Sequence, residues 1–117
     1  MAFLSQLRRI GFPPKEYLRI VRQSAYHNGY NPSRLDFADN DTHKLAYTTP
    51  EGKVVRFGRV GYGDYHIWSF LERKGRSDVG YAEQKRHTFV KSHSAMTGAW
   101  RNNDYSPNWL AIRILWD

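Results

Sequence analysis

Apolar positions recur at helical spacing toward both ends of the chain and alternate with polar ones in the middle. Phe3, Leu7 and Ile10 follow one another at helical intervals, with Arg8 and Arg9 on the other side and Gly11 ending the run. This predicts a short amphipathic segment, residues 1–12, read as an N-terminal arm that either packs on its own domain or docks on a partner or a membrane surface. Pro13 and Pro14 open a second helix, proline being tolerated in a first turn. Tyr17, Leu18, Val21 and Ala25 make its apolar stripe, Arg19 and Arg22 its wet face, and Gly29 its stop.

From Asn31 the texture changes. Asn31-Pro32 turns the chain, Leu35 and Phe37 alternate with polar residues, and Lys44 to Thr48 alternates again around Leu45 and Tyr47. Pro50-Glu51-Gly52-Lys53 reads as a hairpin turn into Val54 to Phe57, so a small antiparallel sheet of two or three strands is expected. Gly58, Gly61 and Gly63 break the pattern. Asp64 then caps a helix from Tyr65 to about Lys74, carried by Ile67, Trp68 and Leu71 and closed by Gly75.

Ser77-Asp78 suggests a further helix to about Ser94, thin in apolar residues (Val79, Tyr81, Phe89, Val90) and with Lys85, Arg86, His87, Lys91 and His93 as a basic polar surface. Ser106-Pro107 starts a last helix over Asn108 to Trp116, with Trp109, Ile112 and Trp116 on one face; a terminal strand remains open, since short apolar runs are ambiguous by period alone. The fold class is α+β: a small single domain with N-terminal helices, a short antiparallel sheet, then C-terminal helices. Residues 13–117 form its compact part.

Composition narrows what this domain can do. With 117 residues the chain is bounded to one domain, and no apolar run approaches the roughly 20 residues of a membrane span. Arg8 and Arg9 lie behind the first apolar residues, not ahead of them as in a secretory signal, so a soluble protein is expected. The absence of cysteine excludes disulfides, thiol catalysis and cysteine-type zinc sites. Eighteen Lys and Arg against 11 Asp and Glu leave a net charge of +7, which predicts association with something acidic. The excess is uneven: residues 1–30 carry five bases and one acid, whereas residues 96–117 are balanced at two and two. Arg8, Arg9, Lys15, Arg19 and Arg22, together with Lys85, Arg86 and Lys91, are therefore the candidate partner-binding residues.

Other chemistry is weakly supported. His27, His43, His66, His87 and His93 include no i, i+4 pair, which argues against zinc. Asp36, Asp39 and Asp41 lack the central glycine and closing glutamate of a calcium loop and read as a solvated turn. Asp64 with Glu72-Arg73-Lys74 resembles the carboxylate and lysine set of metal-dependent nucleases, but here one residue caps a helix and the others leave it. Gly58-Arg59-Val60-Gly61 satisfies a GxxG pattern, yet Asp64 at the helix start would oppose an anion. Neither catalytic residues nor a cofactor are expected. Aromatics interleaved with Lys and Arg also suit single-stranded nucleic acid, although most of these aromatics fall at core-like positions.

Several strings occur together in order: Gly29-Tyr30-Asn31-Pro32, Lys44-Leu45-Ala46-Tyr47, Pro50-Glu51-Gly52-Lys53, Phe57-Gly58, Gly61-Tyr62-Gly63-Asp64-Tyr65-His66-Ile67, Lys85-Arg86, and Tyr105 to Trp116. In this order, over about Tyr26 to Trp116, the chain resembles a group of small basic virion proteins of nucleocytoplasmic large DNA viruses, of the chlorella-virus and giant-virus type. One departure is Ser92, which stands before His93 where that group tends to place arginine. The resemblance implies a minor capsid protein on the inner face of an icosahedral shell of double jelly-roll capsomers, without enzymatic activity or small-molecule substrate. Its implied partners are major capsid protein capsomers and other minor capsid proteins, with contact to inner membrane or viral DNA as further possibilities. The alternative from another class is a nucleic-acid-binding protein of the virion core.

Overall fold

The computed structural model describes residues 2–117. Helix α1 (Ala2–Arg9) and helix α2 (Pro14–His27) lead into a single 3₁₀ turn at Pro32–Arg34 and three strands, β1 (Leu35–Phe37), β2 (His43–Thr48) and β3 (Val54–Arg59). Helix α3 (Tyr65–Arg73), helix α4 (Tyr81–Ser94), a 3₁₀ turn at Ala99–Asn102 and the short helix α5 (Pro107–Leu110) follow; α5 runs on as a π-helical turn over Ala111–Leu115. The sheet is antiparallel in the order β1-β2-β3, with Leu35 opposite Tyr47 and Leu45 opposite both Phe37 and Phe57. The α+β architecture and its element order are those the sequence pattern predicts.

The core joins both ends of the chain to the sheet. Phe3 and Leu7 of α1, Phe12 between α1 and α2, Tyr17 and Val21 of α2, Leu45 and Phe57 of the sheet, Phe70 of α3, and Leu110, Ile114 and Trp116 of the C-terminal segment belong to one buried cluster. The residues 2–12 read as an arm are thus part of the domain. Phe3 lies 5.1 Å edge-on to Tyr17, and Phe12 stacks on Phe70 at 4.3 Å. Of the two readings of this segment its residues 2–12 take the packed one, for a simple reason: a helix this short has little stability in isolation and forms by burying its apolar face.

Two further boundaries differ from the pattern. Helix α4 starts at Tyr81 instead of Ser77-Asp78, because Gly80 takes a left-handed conformation (φ 89°) and the Tyr81 amide closes a turn on the Asp78 carbonyl at 3.1 Å. At the C-terminus Ser106 caps the helix as expected, accepting from the Trp109 amide. The face expected to be buried is displaced: Leu110, Ala111, Ile114 and Leu115 are buried, while Trp109 and Ile112 are half-buried. The last turn is π-helical, the Trp116 amide reaching back five residues to the Ala111 carbonyl, and Trp116 itself is buried.

Candidate functional site

Tyr62 and Asp64 lie on the segment joining β3 to α3, and the structure is organised around that segment. Asp64 is fully buried. Its Oδ1 accepts from the Ile67 amide at 3.0 Å as the N-cap of α3, and its Oδ2 accepts from Lys44 Nζ at 3.0 Å and from the Tyr17 hydroxyl at 2.7 Å. Lys44, on β2, is itself 2% exposed, and its ammonium lies 5.4 Å from the centre of the Phe3 ring. Every polar atom of this trio is engaged, as a buried ion pair requires.

Burial pushes the Asp64 carboxyl up, but the Lys44 ammonium, the neighbouring His66, the Tyr17 hydroxyl and the Ile67 amide together outweigh it and hold the pKa below the ordinary value. The Tyr17 hydroxyl moves the opposite way, raised well above its ordinary value by burial and then by the adjacent Asp64 charge. His66 is buried too; its Nε2 lies 2.8 Å from the Ile114 carbonyl oxygen and 3.4 Å from Ser24 Oγ, linking α3 to α2 and the C-terminal turn. The polar atoms of these groups are spent on one another and on backbone partners, and the arrangement is a structural knot at the edge of a cleft.

The glycines before Asp64 make that knot possible. A Cβ on Gly58, whose φ is 78°, would sit 2.8 Å from Leu115 Cδ1 and 3.3 Å from Lys44 Cβ. A Cβ on Gly63 would sit 2.5 Å from Trp68 Nε1. Close approach and dihedral freedom account for the glycine-rich string without an anion, and Asp64 occupies the α3 N-terminus, as the sequence argument anticipates.

The basic candidates divide into free and engaged groups. Arg8, Arg9, Lys15, Arg19 and Lys91 are exposed and form no ion pair among the described residues. Lys15 and Arg19 share the outer face of α2 with Tyr26, which is 68% exposed. Arg22 is engaged: half-buried, it donates through Nε to the Leu35 carbonyl at 3.0 Å and ties α2 to β1. On α4, Arg86 pairs with Glu83 at 3.0 Å and lies over the Tyr65 ring at 5.0 Å, and Lys85 lies over Trp68 and Tyr81 at 5.6 and 5.4 Å. The α4 surface is therefore less open than its composition suggests. Lys85 and Arg86 also border different clefts: Arg86 and Lys91 line one of about 430 Å³ beside Arg113, and Lys85 lines another of about 480 Å³ beside Trp68.

The remaining candidates behave as a solvated, structural set. Asp39 makes a two-pronged pair with Arg56 at 2.7 and 3.1 Å, and Asp41 accepts from the Ala2 amide, so the acidic turn is held by its own neighbours. Glu72 accepts from the Ala82 amide at 3.0 Å, which joins α3 to α4 and separates it functionally from Asp64. No group of three potential metal ligands occurs among the described residues. No protein-family model, no curated protein and no solved structure matches the chain.

Proposed function

We propose that the chain is a non-enzymatic minor capsid protein that braces or glues capsomers on the inner face of an icosahedral shell. The observation that carries this reading is where the distinctive strings of the sequence go. Gly58, Gly63, Asp64, His66 and Ser106 all serve internal closure, at the knot and at the helix caps, while Arg8, Arg9, Lys15 and Arg19 face outward and form no ion pair among the described residues. A rigid domain with Arg8, Arg9, Lys15 and Arg19 directed outward suits acidic faces of capsomers or of other minor proteins. Many copies on a symmetric lattice let individually weak contacts act together through effective concentration.

Mass spectrometry of stripped, purified particles of the encoding virus tests the proposal, which expects the protein to remain with the shell and fails if it is absent. Binding to duplex DNA across a salt series separates the core-protein alternative. A shallow dependence agrees with a capsid role, and a log K against log salt slope of several units indicates a protein that tracks phosphates.

A further inference from the structure

The cleft of about 480 Å³ between the β3–α3 segment, α3, α4 and the C-terminal turn falls in the size range of small-molecule sites. Its walls are aromatic: Tyr62, Trp68, Phe89 and Trp116. Phe89 is held rigid between His93, stacked at 3.6 Å, and Trp116, stacked at 4.5 Å. Tyr62 stands differently, 66% exposed between Gly61 and Gly63 and stacked on no ring among the described residues.

The electrostatics of the cleft are one-sided. Arg59 and Lys85 line it without an ion pair among the described residues. The one carboxylate in its lining, Asp64, is already neutralised by Lys44. The cleft thus offers flat apolar faces, one of them unoccupied and on a glycine-flanked loop, beside two uncompensated cations. A neutral lipid would leave the cations unanswered, and a bare anion would leave the rings unused.

The geometry points to a nucleotide-binding site: a nucleobase stacks on Tyr62 within the aromatic walls while its phosphate is met by Arg59 and Lys85. The ligand is a nucleoside monophosphate unit, either free or as one residue of a single strand. Duplex DNA, whose bases are already stacked and paired, does not offer it. This inference does not rest on the capsid reading and holds or fails separately from it.

Titration of the full-length, ¹⁵N-labelled protein with 5′-AMP, oligothymidylate, inorganic phosphate, hexaglutamate and a short duplex, followed by NMR, tests it. The expected result is saturable shifts of the Gly61 and Gly63 amides and the Trp68 indole with 5′-AMP, or with oligothymidylate alone if the source is a strand. Tyr62→Ala weakens binding about 10-fold or more, in line with the loss of one base stack. Lys85→Ala weakens it and Lys85→Arg restores it, whereas Lys15→Ala leaves it unchanged. Tyr62 is exposed, and unaltered thermal unfolding of its variant confirms that the fold is kept. No shifts with either nucleotide ligand, equal shifts with phosphate, hexaglutamate or duplex, or unchanged affinity in the Tyr62 variant would overturn the assignment.

Discussion

Lys44 and Asp64 form an ion pair at 3.0 Å with both side chains almost wholly withdrawn from water. Removing one partner leaves the other as an uncompensated buried charge, which costs about 3–5 kcal/mol. Asp64→Ala should therefore destabilise severely, since it also removes the α3 cap and the acceptor of the Tyr17 hydroxyl. The double variant Lys44→Met/Asp64→Asn should lose less than Lys44→Met and Asp64→Asn added together. Chemical denaturation of the four proteins measures that coupling; strict additivity would mean that the two charges do not act as a pair.

The same knot sets a pH window. The Asp64 pKa is lowered on folding, so its contribution is fully present above the unfolded carboxyl value of about 4 and is lost as pH falls through the folded value. Tyr17 is raised on folding, so its contribution is full below about pH 10 and is lost as pH rises beyond that. Unfolding free energy should be flat with respect to these two groups between those limits. Tyr17→Phe should weaken the alkaline decline, and thermal melts from pH 8 to 11 check this.

Leu7→Ala should cost about 2–5 kcal/mol, the range for truncating a fully buried leucine. Deleting residues 2–11 should abolish cooperative unfolding, because Phe3 and Leu7 leave the core with it. A sharp calorimetric transition in the deletion variant would show that α1 is dispensable to the domain.

Gly63→Ala should displace the Trp68 indole, since the new methyl would lie 2.5 Å from Nε1. Relief of such overpacking costs about 1–3 kcal/mol. A change in Trp68 indole chemical shift together with a lowered midpoint is the expected signature.

The free basic face can be tested without touching the core. Arg8→Glu/Arg9→Glu/Lys15→Glu/Arg19→Glu reverses four exposed charges, and single exposed substitutions of this kind generally stay within about 0.5 kcal/mol. Stability should change little while co-sedimentation with capsomers is lost. Retained co-sedimentation would move the docking surface elsewhere.

Local signals made most of the fold legible. Gly63-Asp64 before an apolar run marks a capped helix, Glu51-Gly52 marks a hairpin, and Ser106-Pro107 marks a helix start, each within a few residues of the structure it specifies. Asp64's second role was not legible, because Lys44 and Tyr17 come from 20 and 47 residues away. Alternation in β2 places Lys44 opposite Leu45 and Tyr47, on the face that reads as wet. It is covered by distant groups, with the Phe3 ring centre 5.4 Å and the Asp64 carboxylate 3.0 Å from its ammonium. The π turn was hidden for a related reason: a 3.6-residue period is assumed in reading the last nine residues, and the packing of Leu115 and Trp116 departs from it. Among the candidate basic residues, composition gives the charge, but whether each is free depends on distant partners such as the Leu35 carbonyl for Arg22.

Phe3 and Trp116 share one buried cluster, with Ser24 of α2 hydrogen-bonded to the carbonyl of Asp117. A core closed by contacts between such distant positions cannot be completed while residues 107–116 are still inside the ribosome. The nascent chain must therefore carry Phe3, Leu7, Phe12 and Tyr17 uncovered until synthesis has passed Trp116, and closure of so long a loop is intrinsically slow.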